Sequence, residues 1–128
     1  MDGIEILRAG EEVLAIIIRA EAEPEDNHFI TPDYFVQQGR FVAAPAGGKI
    51  PQHDLVATPH EGVGNAETLH VRRGRVQVDL FFHEVLVATR YLKRGDCIML
   101  ARGAHSLKLL EDSVLFEISQ GPFTRPGD

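Results

Sequence analysis

From Glu67 onward the chain is a succession of short apolar segments cut by turn residues at near-regular intervals, and this punctuation constrains the fold most. Glu67–Arg72 reads as a strand, and Arg73-Gly74 as a turn. Arg75–Phe82 alternates, placing Val76, Val78, Leu80 and Phe82 on one face. His83-Glu84 reads as a tight turn, after which Val85–Leu92 returns. Lys93-Arg94-Gly95-Asp96 turns again into Cys97–Leu100. Ala101-Arg102-Gly103 leads to His105–Leu110, and Glu111-Asp112-Ser113 to Val114–Ile118. Many short strands with Gly or acidic turns imply an all-β sandwich or barrel.

The first half is less regular. Ile4–Arg8 and the β-branched run Val13–Arg19 read as strands, the second suited to burial on both faces. Glu21–Asn27 is an acidic loop containing Pro24. Thr31-Pro32-Asp33 resembles a helix start, but Gly39 follows closely, so at most a short helix is expected near residues 32–38. Arg40–Ala44 is a further strand candidate. Pro45 to Ala66 is rich in Pro and Gly; it reads as a short strand near Ile50–Leu55 and then a loop to Asn65. Neither a repeat nor an internal linker is visible. The expectation is one domain over 1–128, with a core at 40–120, N-terminal strands within 3–19 and a frayed tail at 124–128.

Charge narrows the function classes. The 13 basic and 19 acidic residues give a formal net charge of −6. That balance argues against nonspecific nucleic-acid binding, which requires basic side chains to neutralise phosphates. The absence of a polybasic cluster argues against docking on an anionic membrane. The longest apolar run, Val13 to Ile18, is far too short for a transmembrane helix. Cys97 is the sole cysteine, which rules out an internal disulfide; with a start unlike a signal peptide, it leads to the expectation of a cytoplasmic protein. On its apolar strand Cys97 reads as an inert core thiol. Arg72, Arg73 and Arg75 read as a solvated edge around a turn.

The six histidines carry the candidate chemistry, since imidazole binds metals and moves protons near neutral pH. His28 adjoins the acidic loop and His83 sits at a hairpin tip, so both read as solvated. His70 lies three residues after Glu67, and odd spacing on a strand puts the two on opposite faces. Leu69 and Val71 share the face of Glu67, so that face is the interior and His70 points outward. His53, Glu67 and His105 remain, with His60 as a loop candidate. A carboxylate among apolar neighbours needs a compensating partner: an arginine in the core, a hydrogen-bond donor or a metal.

These residues carry a resemblance to the cupin superfamily. Its first motif is Gly, five residues, His-x-His, a variable gap, Glu, six residues and Gly. Gly47, His53, Glu67 and Gly74 follow that layout. The second motif is matched by Gly95, Ala101-Arg102-Gly103 and His105, with Ala101 in place of proline and one residue rather than two before the histidine. The run Ile16–Arg19, the segment Arg102-Gly103-Ala104-His105 and the triplet Gln120-Gly121-Pro122 are also similar to a group of small single-domain bacterial cupins.

The resemblance implies a double-stranded β-helix, or jelly-roll barrel. It also implies a divalent metal, Fe, Mn, Zn or Ni, held by His53, Glu67 and His105. Leu55 stands where the second histidine of the first motif is expected. Either three ligands hold the metal with open positions, with His60 filling the gap from its loop, or the pocket binds a polar small molecule without metal. The implied functions are a metal-dependent enzyme of isomerase, epimerase or oxygenase type, a non-catalytic ligand-binding protein, or a structural cupin. A homodimer is expected, because Val13–Arg19 would otherwise present a bare sheet edge.

Overall fold

The computed structural model describes residues 2–24, 27–54 and 66–121, with the side chains of His28 and residues 50–54 outside the description. It is all-β. The strands are β1 (Ile4–Ala9), β2 (Glu12–Ile18), β3 (His28–Phe29), β4 (Gln37–Ala44), β5 (Lys49–Asp54), β6 (Glu67–Arg73), β7 (Arg75–Phe82), β8 (Val85–Lys93), β9 (Cys97–Leu100), β10 (Ala104–Leu109) and β11 (Ser113–Gln120). All pairings are antiparallel. A four-stranded sheet runs β5-β10-β7-β8, a five-stranded sheet runs β3-β4-β11-β6-β9, and β1-β2 is a separate hairpin.

Period-two alternation explains how the two larger sheets face one another. Val76 and Val78 of β7 and Leu107 of β10 meet Val42, Leu69, Val71, Leu100 and Leu115 of the opposing sheet in one buried cluster. Every second residue of each strand points into that layer, so a strand contributes its apolar parity and leaves the other parity outside. On the outer side of the five-stranded sheet, Phe41 and Phe116 pack edge to face with ring centroids 5.0 Å apart. Ala22 and Val114 join them, and Ile4 and Ile18 bring the N-terminal hairpin down onto this second cluster.

Turn chemistry closes the hairpins. His83 and Glu84 both have positive φ, 49° and 66°, as a two-residue turn that matches strand twist requires. Gly74 has φ +93°, and a Cβ there would collide with Ser113 Oγ and lie 2.7 Å from the Asp112 carbonyl oxygen. Only glycine links β6 to β7 without displacing the start of β11.

Residues 32–38 stay within the expected bound of at most a short helix, and three other local expectations need correction. Residues 32–38 form no helix: a single turn, closed by Phe35 N–H donating to Pro32 O at 3.1 Å, precedes β4. The fully buried Gln38 amide donates to the carbonyls of Pro32, Asp33 and Phe35, holding the loop in place of a helical ladder. Strand β2 is not buried on both faces, since it pairs with β1 and leaves Leu14 68% exposed. Cys97 is exposed, because Ile98 and Leu100 take the inward parity of β9. Arg72 is no idle surface charge: Nη2 donates to Arg19 O at 2.6 Å and Ala20 O at 3.1 Å, and the guanidinium lies 5.7 Å from the Phe41 ring centroid. It ties the end of the N-terminal hairpin to β6.

The alternating face of β7 also ends early. A register shift between Leu80 and Phe81 interrupts its pairing with β8, and Phe82 is 48% exposed against the His83 ring. Among the described residues, no helix is long and apolar enough to cross a membrane.

Candidate functional site

Glu67 opens β6, which lies between β11 and β9. Its ladder partners are Ser119 and Leu100, and its parity is that of the core residues Leu69 and Val71. The carboxylate therefore enters the space between the sheets, where its side chain keeps 17% of its exposure. His105 comes from the opposite sheet. It sits on β10, paired with Leu80 of β7 and, on the other side, with His53 of β5. Its side chain is 2% exposed. Gly103 sets the approach to β10 with φ +83°, and the Phe81 carbonyl oxygen occupies the place of a Cβ.

Across the interior, His105 Nε2 lies 3.4 Å from Glu67 Oε2. Two of the expected site residues thus come together, one from each sheet. His53 is placed by backbone register as the ladder partner of His105; its side chain lies outside the description. Leu55 and His60 fall outside the described residues. His70 is on the outer parity of β6, opposite Cys97 and Phe116, and His83 is at the β7–β8 tip. His28 belongs to β3, with Phe41 as its backbone partner.

The pair can be tested against a divalent metal from its own geometry. Donors on one tetrahedral ion, each about 2.1 Å from it, are separated by about 3.4 Å. The observed spacing fits two donors of a shared ion, and it is long beside the usual N–H···O length of about 2.9 Å. An imidazole nitrogen and a carboxylate oxygen are also the donor types that iron, zinc and manganese accept. Among the described residues no group of three such ligands gathers.

One inward polar pair was missed in the sequence. Arg40 Nη2 donates to Glu117 Oε2 at 3.1 Å. Arg40 shares its parity with Val42, and Glu117 with Leu115, both in the inter-sheet core. Glu117 also pairs across the ladder with Leu69. The signal was present: a charged residue two positions from a buried one on the same strand. It is recognisable only once the parity of β4 and β11 is known.

Comparison with known proteins bears on the fold. No family model matches the chain, and no curated protein matches it. Among solved structures, the cupin domain of Cnp3 from Schizosaccharomyces pombe superposes with TM-score 0.60 at 15% identity, covering 73% of this chain and 59% of that one. A cupin-2 domain protein from Shewanella frigidimarina gives 0.57 at 14% identity, covering 78% and 84%. KdgF from a Halomonas species gives 0.56 at 22% identity, covering 77% and 78%. The chain spans less than two thirds of the Cnp3 domain structure it matches. The fold is that of the cupins, a jelly roll of two facing antiparallel sheets.

Proposed function

We propose that this chain is a small-molecule-binding cupin whose pocket centres on Glu67 and His105, with His53 beside them and His60 as a further candidate. Its best-supported activity is that of a metal-dependent enzyme of isomerase, epimerase or oxygenase type on a polar substrate. The observation that carries the reading is the 3.4 Å approach of His105 Nε2 to Glu67 Oε2 from opposite sheets. Burying a carboxylate and an imidazole together is costly, and a ligand shared between them offsets that cost. Similarity to structures that include KdgF and a variant of salicylate 1,2-dioxygenase from Pseudoaminobacter salicylatoxidans is consistent with an enzyme.

A bound divalent ion would act as a Lewis acid, polarising an oxygen of the substrate. The protein's own groups would do the rest. Glu67 and His105 would hold such an ion between the two sheets, orienting it toward a substrate in the same space. His105 Nε2 lies within reach of the same space, and the layer formed by Leu69, Val78 and Leu107 keeps bulk water from the floor. The second reading, a non-catalytic ligand-binding or structural cupin, is favoured by Leu55 at the position of a ligand histidine. We also propose a homodimeric, cytoplasmic protein with no nucleic-acid or membrane partner.

The test is elemental analysis of protein purified without a histidine tag, followed by titration with Fe, Mn, Zn and Ni ions. Stoichiometric metal that is lost in His105→Ala supports the enzyme reading. Metal binding that is absent, or indifferent to His105→Ala, leaves the non-catalytic reading.

A further inference from the structure

A cleft of about 140 Å3 opens on the outer side of β6, lined by Ala20, His70, Val71, Arg72, Arg94 and Gly95. Three elements build it. His70 and Arg72 are two residues apart on β6 and share its outer parity, on the opposite face of the sheet from Glu67. Arg94 and Gly95 belong to the turn between β8 and β9. Val71 clamps that turn through both of its backbone groups: its N–H donates to Asp96 O at 2.9 Å, and its carbonyl accepts from Gly95 N–H at 2.8 Å. Ala20, just past the end of β2, supplies the third side.

The polar side chains of this cleft are all basic, in a chain whose formal net charge is −6. The neighbouring carboxylates are engaged elsewhere. Glu23 lies 3.4 Å from Arg73, and Asp96 accepts from Lys93 N–H at 3.0 Å within the turn. Among the described residues, no carboxylate pairs with Arg72 or Arg94, and the His70 ring makes no hydrogen bond. Arg72 is also held in place. Its Nη2 donates to Arg19 O and Ala20 O, and its guanidinium lies over the Phe41 ring. Its Nε and Nη1 donors make no hydrogen bond among the described residues. A planar donor fork that is already fixed loses little freedom on meeting an oxyanion. Two guanidiniums on one cleft also repel each other until an anion lies between them.

We propose that this cleft binds a phosphate group, either free inorganic phosphate or the phosphate of a small monoester. Donors from three residues suit the several oxygens of a tetrahedral phosphate, whereas a single guanidinium fork satisfies a planar carboxylate. His70 donates through one ring nitrogen even as the neutral imidazole. At about 140 Å3 the cleft is smaller than the ~300 Å3 at which pockets begin to enclose a whole drug-sized ligand. It therefore takes the anionic head and leaves the rest of an ester in solvent. Two guanidiniums on a net-acidic chain are too few for a nucleic-acid backbone.

The experiment uses metal-stripped full-length protein at neutral pH and constant ionic strength, with chloride as the balancing anion. Arginine Nε resonances are followed by NMR while inorganic phosphate, glycerol 3-phosphate and acetate are added separately. The Arg72 resonance is assigned by its loss in Arg72→Lys. Saturable binding of a phosphate that moves this resonance is expected, with acetate binding more weakly; the tighter of the two phosphates names the source. Arg94→Gln alters an exposed side chain and is expected to keep the wild-type melting temperature while losing about tenfold or more in phosphate affinity. Arg90→Gln removes the same charge from an exposed residue that does not line the cleft, and should bind phosphate as the wild type does. The inference is overturned if neither phosphate binds saturably, if acetate binds as tightly, or if Arg94→Gln binds as the wild type does. Equal weakening by Arg90→Gln and Arg94→Gln would reduce the effect to net charge and overturn it too. Phosphate binding that His105→Ala abolishes and Arg94→Gln spares would move the anion between the sheets, which also overturns it.

Discussion

His105 and Glu67 belong to different sheets, 38 positions apart in the chain, yet Nε2 of one lies 3.4 Å from Oε2 of the other. The contact bridges the two layers of the jelly roll at a point where the next inward residue along each strand, Leu69 and Leu107, is apolar. Truncation at either end should be felt in both the fold and the site. For His105→Ala, the side chain removed is 2% exposed and leaves a hole beside a carboxylate. The expected cost is about 1–3 kcal/mol of unfolding free energy, read from urea denaturation at neutral pH. Glu67→Gln keeps the volume and should cost less than His105→Ala, while abolishing any divalent-metal binding measured by calorimetry.

Leu55 offers the complementary change. The resemblance to cupins leads one to expect a histidine there, two residues after His53. Leu55→His should raise affinity for zinc or nickel by about tenfold or more, because an imidazole replaces a side chain that cannot coordinate. Calorimetric titration of the wild type, Leu55→His and His105→Ala decides the matter. If Leu55→His binds no better and His105→Ala binds as well as the wild type, the pocket is not a metal site.

The strands after Glu67 were legible because each has one apolar parity and ends at Gly, Asp or a His-Glu pair that only a turn accommodates. The same parity argument separated Glu67 from His70 correctly as to face. Three features resisted it. Val13–Arg19 is apolar at every position but one, so composition suggested a two-faced buried strand, while the structure leaves Leu14 and Ala15 exposed and Ile16, Ile17 and Ile18 only half-buried. Strand β3 has two residues and no pattern to read. The Arg40–Glu117 pair joins strands 77 positions apart, and nothing local in either segment reports the other.

Gly74 lies at the glycine position of the first cupin motif, and its requirement is steric. Gly74→Ala should destabilise by about 2 kcal/mol or more, because φ +93° is strained for alanine and the Cβ meets Ser113 and Asp112. Ser113→Gly in the same chain relieves the side-chain clash with Ser113 Oγ but neither the strain in φ nor the contact with the Asp112 carbonyl. The double variant should therefore recover only part of the loss. Urea midpoints of the wild type, the single and the double variant check this; a Gly74→Ala midpoint equal to wild type would show that the turn relaxes freely.

The last expectation concerns assembly. The N-terminal hairpin covers Phe41 and Phe116 but stops short of the other end of the same outer face. There Ile118, Thr68 and Met99 follow one another across the ladder, with Met99 81% exposed. Leu14 lines a groove with Ile118, and Val36 lines the adjoining one, each 68% exposed. Contiguous apolar surface of this kind on a sheet face is a liability for an isolated chain, and a two-fold partner buries both copies of it at once. The expected species in light scattering is a dimer, and Leu14→Lys or Met99→Lys should shift it toward the monomer mass. Because both side chains are exposed, neither change should lower the melting temperature of the monomer by itself. A wild type that scatters as a monomer at high protein concentration would reject the dimer. A dimer indifferent to both substitutions would place its interface elsewhere on the molecule.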